Sequence, residues 1–148
     1  SDPEAWFEKL IAMDVKRIIF PIEISTDINS LIQKLKETDI EVGISLNPET
    51  EVDKIAEYIN EIDEVLVMSV HPGFGGQEFI DDSIKKVAQL RQMNQDVIIG
   101  VDGGISPDVA PKLVAAGANN LVIGSKRLIE NGIDETLEKY WEILQEKS

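Results

Sequence analysis

Five short apolar, β-rich runs constrain this chain more than any other feature. They are Arg17–Ile24 (RIIFPIEI), Glu41–Leu46 (EVGISL), Glu64–Val70 (EVLVMSV), Asp96–Asp102 (DVIIGVD) and Asn120–Ser125 (NLVIGS). Most lack strict apolar–polar alternation, which is the pattern of strands covered on both faces. Their starts lie 24, 23, 32 and 24 residues apart. A helical pattern fills each interval. The repeating unit is therefore strand then helix, and the expected fold is α/β with five parallel strands.

The intervening helices show themselves by their apolar stripes. Ile28, Leu31, Ile32 and Leu35 follow i, i+3, i+4, i+7, as do Val52, Ile55, Ala56 and Ile59, and Leu137, Tyr140, Trp141 and Leu144. Such a stripe covers a sheet and leaves the charged remainder in water. Trp6, Trp141 and Tyr140 are expected to pack helix against sheet. Asp2-Pro3 and Ser106-Pro107 each offer a cap followed by Pro at the first helical position. Thr50 and Asp53 have the spacing of a capping box. Gly117 suits a helix end. Pro111 removes a backbone donor unless it lies in a first turn. An opening helix is expected near Pro3–Met13, before the first strand.

Length and charge remove whole classes of function. A chain of 148 residues allows one domain, residues 1–148, with a real core. With no cysteine there is no disulfide framework, Cys-based zinc site or thiol nucleophile. The apolar runs are too short to span a membrane, and no secretory leader is visible, so the expected location is cytoplasmic. Fourteen Lys and Arg against 28 Asp and Glu give a net charge of −14. Polyanion binding needs a basic footprint, so nucleic acid is not expected as a partner. A small anion is different, because a few backbone N–H groups hold a phosphate whatever the net charge.

The 32-residue interval is longer than the others by eight or nine residues. The excess follows a strand directly, in His71-Pro72-Gly73-Phe74-Gly75-Gly76-Gln77-Glu78-Phe79. Ligands of parallel α/β sheets bind at the carboxyl ends of strands. Three glycines there let backbone N–H groups approach an anion closely. The loop is either a lid or phosphate clamp, or a plain turn-rich connection. Asp102-Gly103-Gly104 ends the next strand and Gly124-Ser125 the last. Glycines after two consecutive strands are what a (β/α)₈-type phosphate site needs. Asp102 reads as a general acid/base or a metal ligand, against the simpler reading of an Asp-Gly turn. His71, the single histidine, makes no usual zinc site alone and is expected to have a modest loop role. Glu23 either enters the pocket or is solvated. Met68 packs inside, or lines the substrate as a soft surface.

The run Val67–Phe79, together with Val101-Asp102-Gly103-Gly104-Ile105 and Ala116–Ser125, resembles the ribulose-phosphate 3-epimerase family. Leu46-Asn47-Pro48-Glu49-Thr50 fits the same family. The Gly-Phe-Gly-Gly-Gln element is specific, whereas Asp-Gly-Gly and Gly-Ser occur in other phosphate-binding barrels. The resemblance implies a partial (β/α)₈ barrel binding a sugar phosphate. It implies an isomerase interconverting D-ribulose 5-phosphate and D-xylulose 5-phosphate. In the family two Asp residues work on opposite faces of C3 through an enediolate, with a divalent metal (zinc, iron, manganese or cobalt type) held by two His and the two Asp. Asp102 matches the second Asp, as catalytic residue and metal ligand. Gly73, Phe74, Gly75 and Gly76 match the mobile loop. Gly103, Gly104, Gly124 and Ser125 match the phosphate grip.

The departures are as informative. Asp2–Trp6 aligns just after the family's third strand, so the first three βα units have no counterpart here. With them go the first catalytic Asp and both metal-binding His. Pro21 stands where the family usually has His. A complete barrel needs about 200–250 residues. Three situations are open: a fragment, a barrel completed by another polypeptide, or a self-associating remnant. The chain alone is expected to be nearly inactive. A hexulose 6-phosphate 3-epimerase and a non-catalytic phosphate- or partner-binding remnant are the alternatives.

Overall fold

The computed structural model describes residues 9, 10, 12, 13, 15–73, 76–124, 129 and 132–145, with Leu144 described by its backbone alone. Most of the expected opening helix, including Trp6 and the Asp2-Pro3 start, lies outside the described residues. Five strands form one parallel sheet in chain order: β1 (Arg17–Pro21), β2 (Glu41–Leu46), β3 (Glu64–Met68), β4 (Ile98–Asp102) and β5 (Asn120–Val122). Helices α1 (Ile28–Lys36), α2 (Asp82–Met93) and α3 (Ala110–Ala116) lie in the crossovers, and α4 (Ile133–Gln145) follows β5. The runs read from sequence are right in place and direction. Every strand but β2 is shorter than the run read for it: β1, β3 and β5 stop early, where the chain leaves into the rim loops, and β4 starts two residues late.

Sequential parallel order, with crossovers of the right hand that such connections take, puts the crossover helices α1, α2 and α3 on one face. Burial follows that rule. Ile18, Phe20, Val42, Ile44, Leu46, Val65, Val67, Ile99 and Val101 are buried on the helical side. The alternate residues, Ile19, Pro21, Ser45, Leu66, Met68, Ile98, Asp102 and Val122, are exposed or half-buried. The expectation of two covered faces is thus corrected: this sheet is covered on one face. The open face still carries apolar residues of the kind a closed barrel stacks inside itself. At its amino end Arg17 bridges Glu41 (2.5 Å) and the buried Glu64. Gly100 makes room, since a Cβ there would sit 2.5 Å from Glu64 Oε1.

Helix α1 forms as its stripe dictates, burying Ile28, Leu31, Ile32 and Leu35. Asp27 caps it by accepting from Ser30 N (3.4 Å) and Ser30 Oγ (2.9 Å). Lys34 and Lys36 in the last turn suit the helix dipole. Fully burying each such aliphatic side chain is worth about 1.5–3 kcal/mol. The second expected helix is corrected. Val52, Ile55 and Ile59 are buried as predicted, but the backbone makes a 3₁₀ turn over Val52–Ile55 and then loose turns. The capping box does not form: the residue at the cap position of this turn is Glu51, without a side-chain cap bond, and the Thr50 hydroxyl donates to Glu23 instead.

Helix α3 begins at Ala110, not at Pro107, which lies in a preceding turn. Pro111 sits in the first helical turn, where its missing N–H is no loss. Gly117 ends α3 in the left-handed region at φ 110°. In α4 only part of the stripe packs. Tyr140 is buried and its hydroxyl donates to Ile105 O at 2.7 Å. Leu137 and Trp141 are 55% and 66% exposed, a correction to the packing role expected of Trp141.

Candidate active site

The carboxyl ends of the strands form one rim. Met68 on β3, Asp102 on β4 and Val122 on β5 are register partners, so all three lie in one row on the open face. Met68 is therefore beside Asp102 at the mouth of the sheet rather than in a sealed interior. Asp102 is half-buried, and burial pushes its carboxyl above the ordinary carboxylate value. A carboxyl so placed holds a proton more readily than one in water, which suits proton transfer.

The β3 and β4 ends are tied together tightly. Ser69 N donates to Asp102 O (2.8 Å), and Ile80 N donates to Ser69 O (2.9 Å), closing the long loop back onto its own root. Gly103 (φ 124°) and Gly104 (φ 61°) turn the chain in a region other residues rarely adopt. A Cβ on Gly103 would meet Val70 Cγ2 at 2.5 Å, and one on Gly104 would meet Phe79 N at 2.7 Å. The Asp-Gly-Gly turn and the two flanks of the Gly-rich loop are thus in backbone contact. Gly73, also at positive φ, and Gly124 have open space where a side chain would stand. Gly76 is exposed at φ 82°. Phe74, Gly75 and Ser125 lie outside the described residues.

The neighbouring rim loop, Asn47–Thr50, is held from three sides. Glu23 accepts from Asn47 N (3.1 Å) and from the Thr50 hydroxyl. This exposed carboxylate is a loop clasp, which neither reading of it from sequence foresaw. Lys86, buried on α2, donates from Nζ to the carbonyls of Pro48 (2.5 Å), Thr50 (2.6 Å) and Asn47 (3.3 Å). His71 Nδ1 lies 2.6 Å from Glu49 Oε1, joining this loop to the root of the Gly-rich loop. Gln77 Nε2 donates to His71 O at 2.6 Å. Lys86 and Ser69 were missed from sequence. A lysine inside the buried stripe Ser83, Lys86, Val87, Leu90 was the available signal for the first.

Among the described residues no group of three or more His, Cys, Asp or Glu could hold a metal ion. Asp102 alone therefore does not make a metal centre, and the described residues do not fit the four-ligand site that the resemblance implies. A separate acidic cleft, lined by Glu41, Asp63, Asp96, Asn60 and Asn94, sits at the amino ends of the strands. Its charge and its place at the opposite pole make it a poor seat for a phosphate.

Residues 1–128 match the ribulose-phosphate 3 epimerase family. The chain belongs to that family. It is 42% identical over 99 residues to ribulose-phosphate 3-epimerase of Bacillus subtilis, covering 64% of this chain and 46% of that protein. It is 38% identical over 129 residues to the cytoplasmic isoform of Oryza sativa, covering 84% of this chain and 57% of the relative. The chain thus spans about half the length of the curated relatives it matches. Among solved structures, a mutant tryptophan synthase α-subunit of Pyrococcus furiosus superposes with a TM-score of 0.68 at 17% identity, over 97% of this chain and 60% of that one. The 3-hexulose-6-phosphate synthase of Salmonella typhimurium gives 0.67 at 20% identity, over 96% and 68%. These two likenesses speak to fold alone: the open five-stranded sheet is a partial (β/α)₈ barrel. No helix among the described residues is long and apolar enough to cross a membrane.

Proposed function

We propose that this chain supplies the phosphate-holding and proton-transferring half of an epimerase that interconverts D-ribulose 5-phosphate and D-xylulose 5-phosphate. The carrying observation is the juxtaposition of Asp102, raised in pKa by burial, with the Gly103–Gly104 turn and the described flanks of the Gly-rich loop, Val70 and Phe79, on one rim. The Gly103–Gly104 turn supplies backbone donors to the phosphate. One carboxylate takes the proton from C3, and the electron pair passes into an enediolate. A second carboxylic acid then delivers a proton to the opposite face of C3, which inverts the centre. Asp102 is one of the pair. The other comes from the βα units that complete the barrel, as do the remaining ligands of any divalent metal.

Barrel completion is supported by what lies uncovered. Among the described residues neither edge strand, β1 or β5, has an outer neighbour in the sheet. Ile133 (61% exposed), Leu137 and Trp141 form an i, i+4, i+8 stripe facing away from the core. Three further βα units would cover both. The test joins this chain to the first three βα units of the Bacillus subtilis relative and follows turnover of D-ribulose 5-phosphate. The joined protein should epimerise, and Asp102→Asn should reduce kcat about 10²–10⁴-fold. Near-parental turnover by the Asn variant would remove Asp102 from the mechanism. No turnover by the joined parent, once folded, would remove the activity itself.

A further inference from the structure

Ser69 is a buried polar group at the rim to which the mechanism gives no role. It is 0% exposed, directly after β3. A hydroxyl there is costly to bury unless bonded. The sheet ladder does not need it, because Ser69 N already donates to Asp102 O at 2.8 Å. The hydroxyl does something further. It lies 2.9 Å from Asp102 O and 2.7 Å from Gly103 O, with its one proton shared between them. Those two carbonyls belong to the two peptide planes that flank Gly103. Holding both planes fixes both backbone torsions of a residue that has no Cβ to restrict them.

We propose that Ser69 is a positioning residue: its hydroxyl locks Gly103 and thereby sets the aim of the Asp102 carboxylate and the Gly103–Gly104 anion-binding turn. The inference rests on the proposed roles of Asp102 and the turn, and its mechanical part stands apart from them. Val70 also packs against Gly103, where a Cβ would meet Val70 Cγ1 at 2.9 Å. The turn thus rests against two consecutive residues of one loop root. A loss of about 1 Å in aim costs on the order of 10²-fold in rate. An unlocked Gly103 reaches that error by rotation of a single peptide plane.

The test compares the chain with its Ser69→Ala and Ser69→Thr variants by ¹⁵N relaxation at Gly103 and Gly104. In the parent, Gly103 should show an order parameter near about 0.85, as rigid backbone does. Ser69→Ala should drop it toward the flexible range, below about 0.6, with the amides of β2 and β3 unchanged. Ser69→Thr keeps the hydroxyl and should restore it. If Ser69→Ala fails to fold, Ser69→Cys, a weak donor of similar size, is read the same way. In the joined barrel, Ser69→Ala should lower kcat roughly 10²-fold and also raise KM, because the phosphate grip loosens. A purely structural defect would lower the active fraction and leave KM alone. An unchanged Gly103 order parameter in Ser69→Ala overturns the proposal, and so does an unchanged KM. Failure of the parent to turn over would count against the epimerase reading while the relaxation data still decide the lock.

Discussion

Asp102 carries a penalty that its neighbours do not. Burial holds its carboxyl above the ordinary value, so the ionised form is disfavoured in the folded chain. The stability tied to this group is fully present below the unfolded-state pKa, about 3.9, and is lost as pH rises through the higher folded-state value. Asp102→Asn should therefore unfold at a higher urea concentration than the parent at pH 7, and the two should converge near about pH 3. A less stable Asn variant at pH 7 would mean that the carboxylate is structural. Lys86 holds the neighbouring rim loop. Its ammonium is the donor for three loop carbonyls. Lys86→Met keeps the stem and deletes those bonds, at about 1.5–3 kcal/mol, measured by urea denaturation. Asp102 was legible in the sequence because Asp-Gly-Gly at a strand end is a local pattern. Ser69 and Lys86 were not, because their partners lie 33 to 39 residues away along the chain.

Among the elements, the parallel strands and α1 could be read directly, since both depend on local periodicity and a cap. The stretch after β2 shows where that reasoning stops. Val52, Ile55 and Ile59 are buried as the period requires, yet their backbone is a 3₁₀ turn and then loose turns. Burial fixed the side chains, and Glu23 and Lys86 fixed the loop that enters them. Gly117 was legible and is also required by packing. It ends α3 at φ 110°, and a Cβ would fall 2.8 Å from Arg91 Cγ. Arg91 donates to Gly117 O at 2.9 Å and to Asn119 Oδ1 at 2.6 Å, which sets the entry to β5. Gly117→Ala should cost roughly 1–3 kcal/mol of strain, read as a lower midpoint in urea with an unchanged slope. An unchanged midpoint would show that the α3–β5 turn relaxes freely.

In the molecule as a whole, the same apolar residues mean different things closed and open. Leu66, Met68 and Ile98 line a packed interior when eight strands close, and face water when five do not. The strands' apolar runs suggested cover on both faces, and that reading fits the completed barrel better than this chain. The chain alone should therefore bind a hydrophobic dye and self-associate in sedimentation, and joining it to three further βα units should abolish both. A monomer that binds no dye would argue that the open face is at home in water. The relation between the two halves is most directly read at C3 of the sugar. In D₂O, the joined parent should exchange the C3 hydrogen for deuterium from both epimers while interconverting them. With Asp102→Asn, ¹H NMR should show exchange surviving from one epimer alone, with no interconversion. Continued interconversion at the parental rate would contradict the account, because inversion needs an acid on each face and Asp102 is assigned one of them.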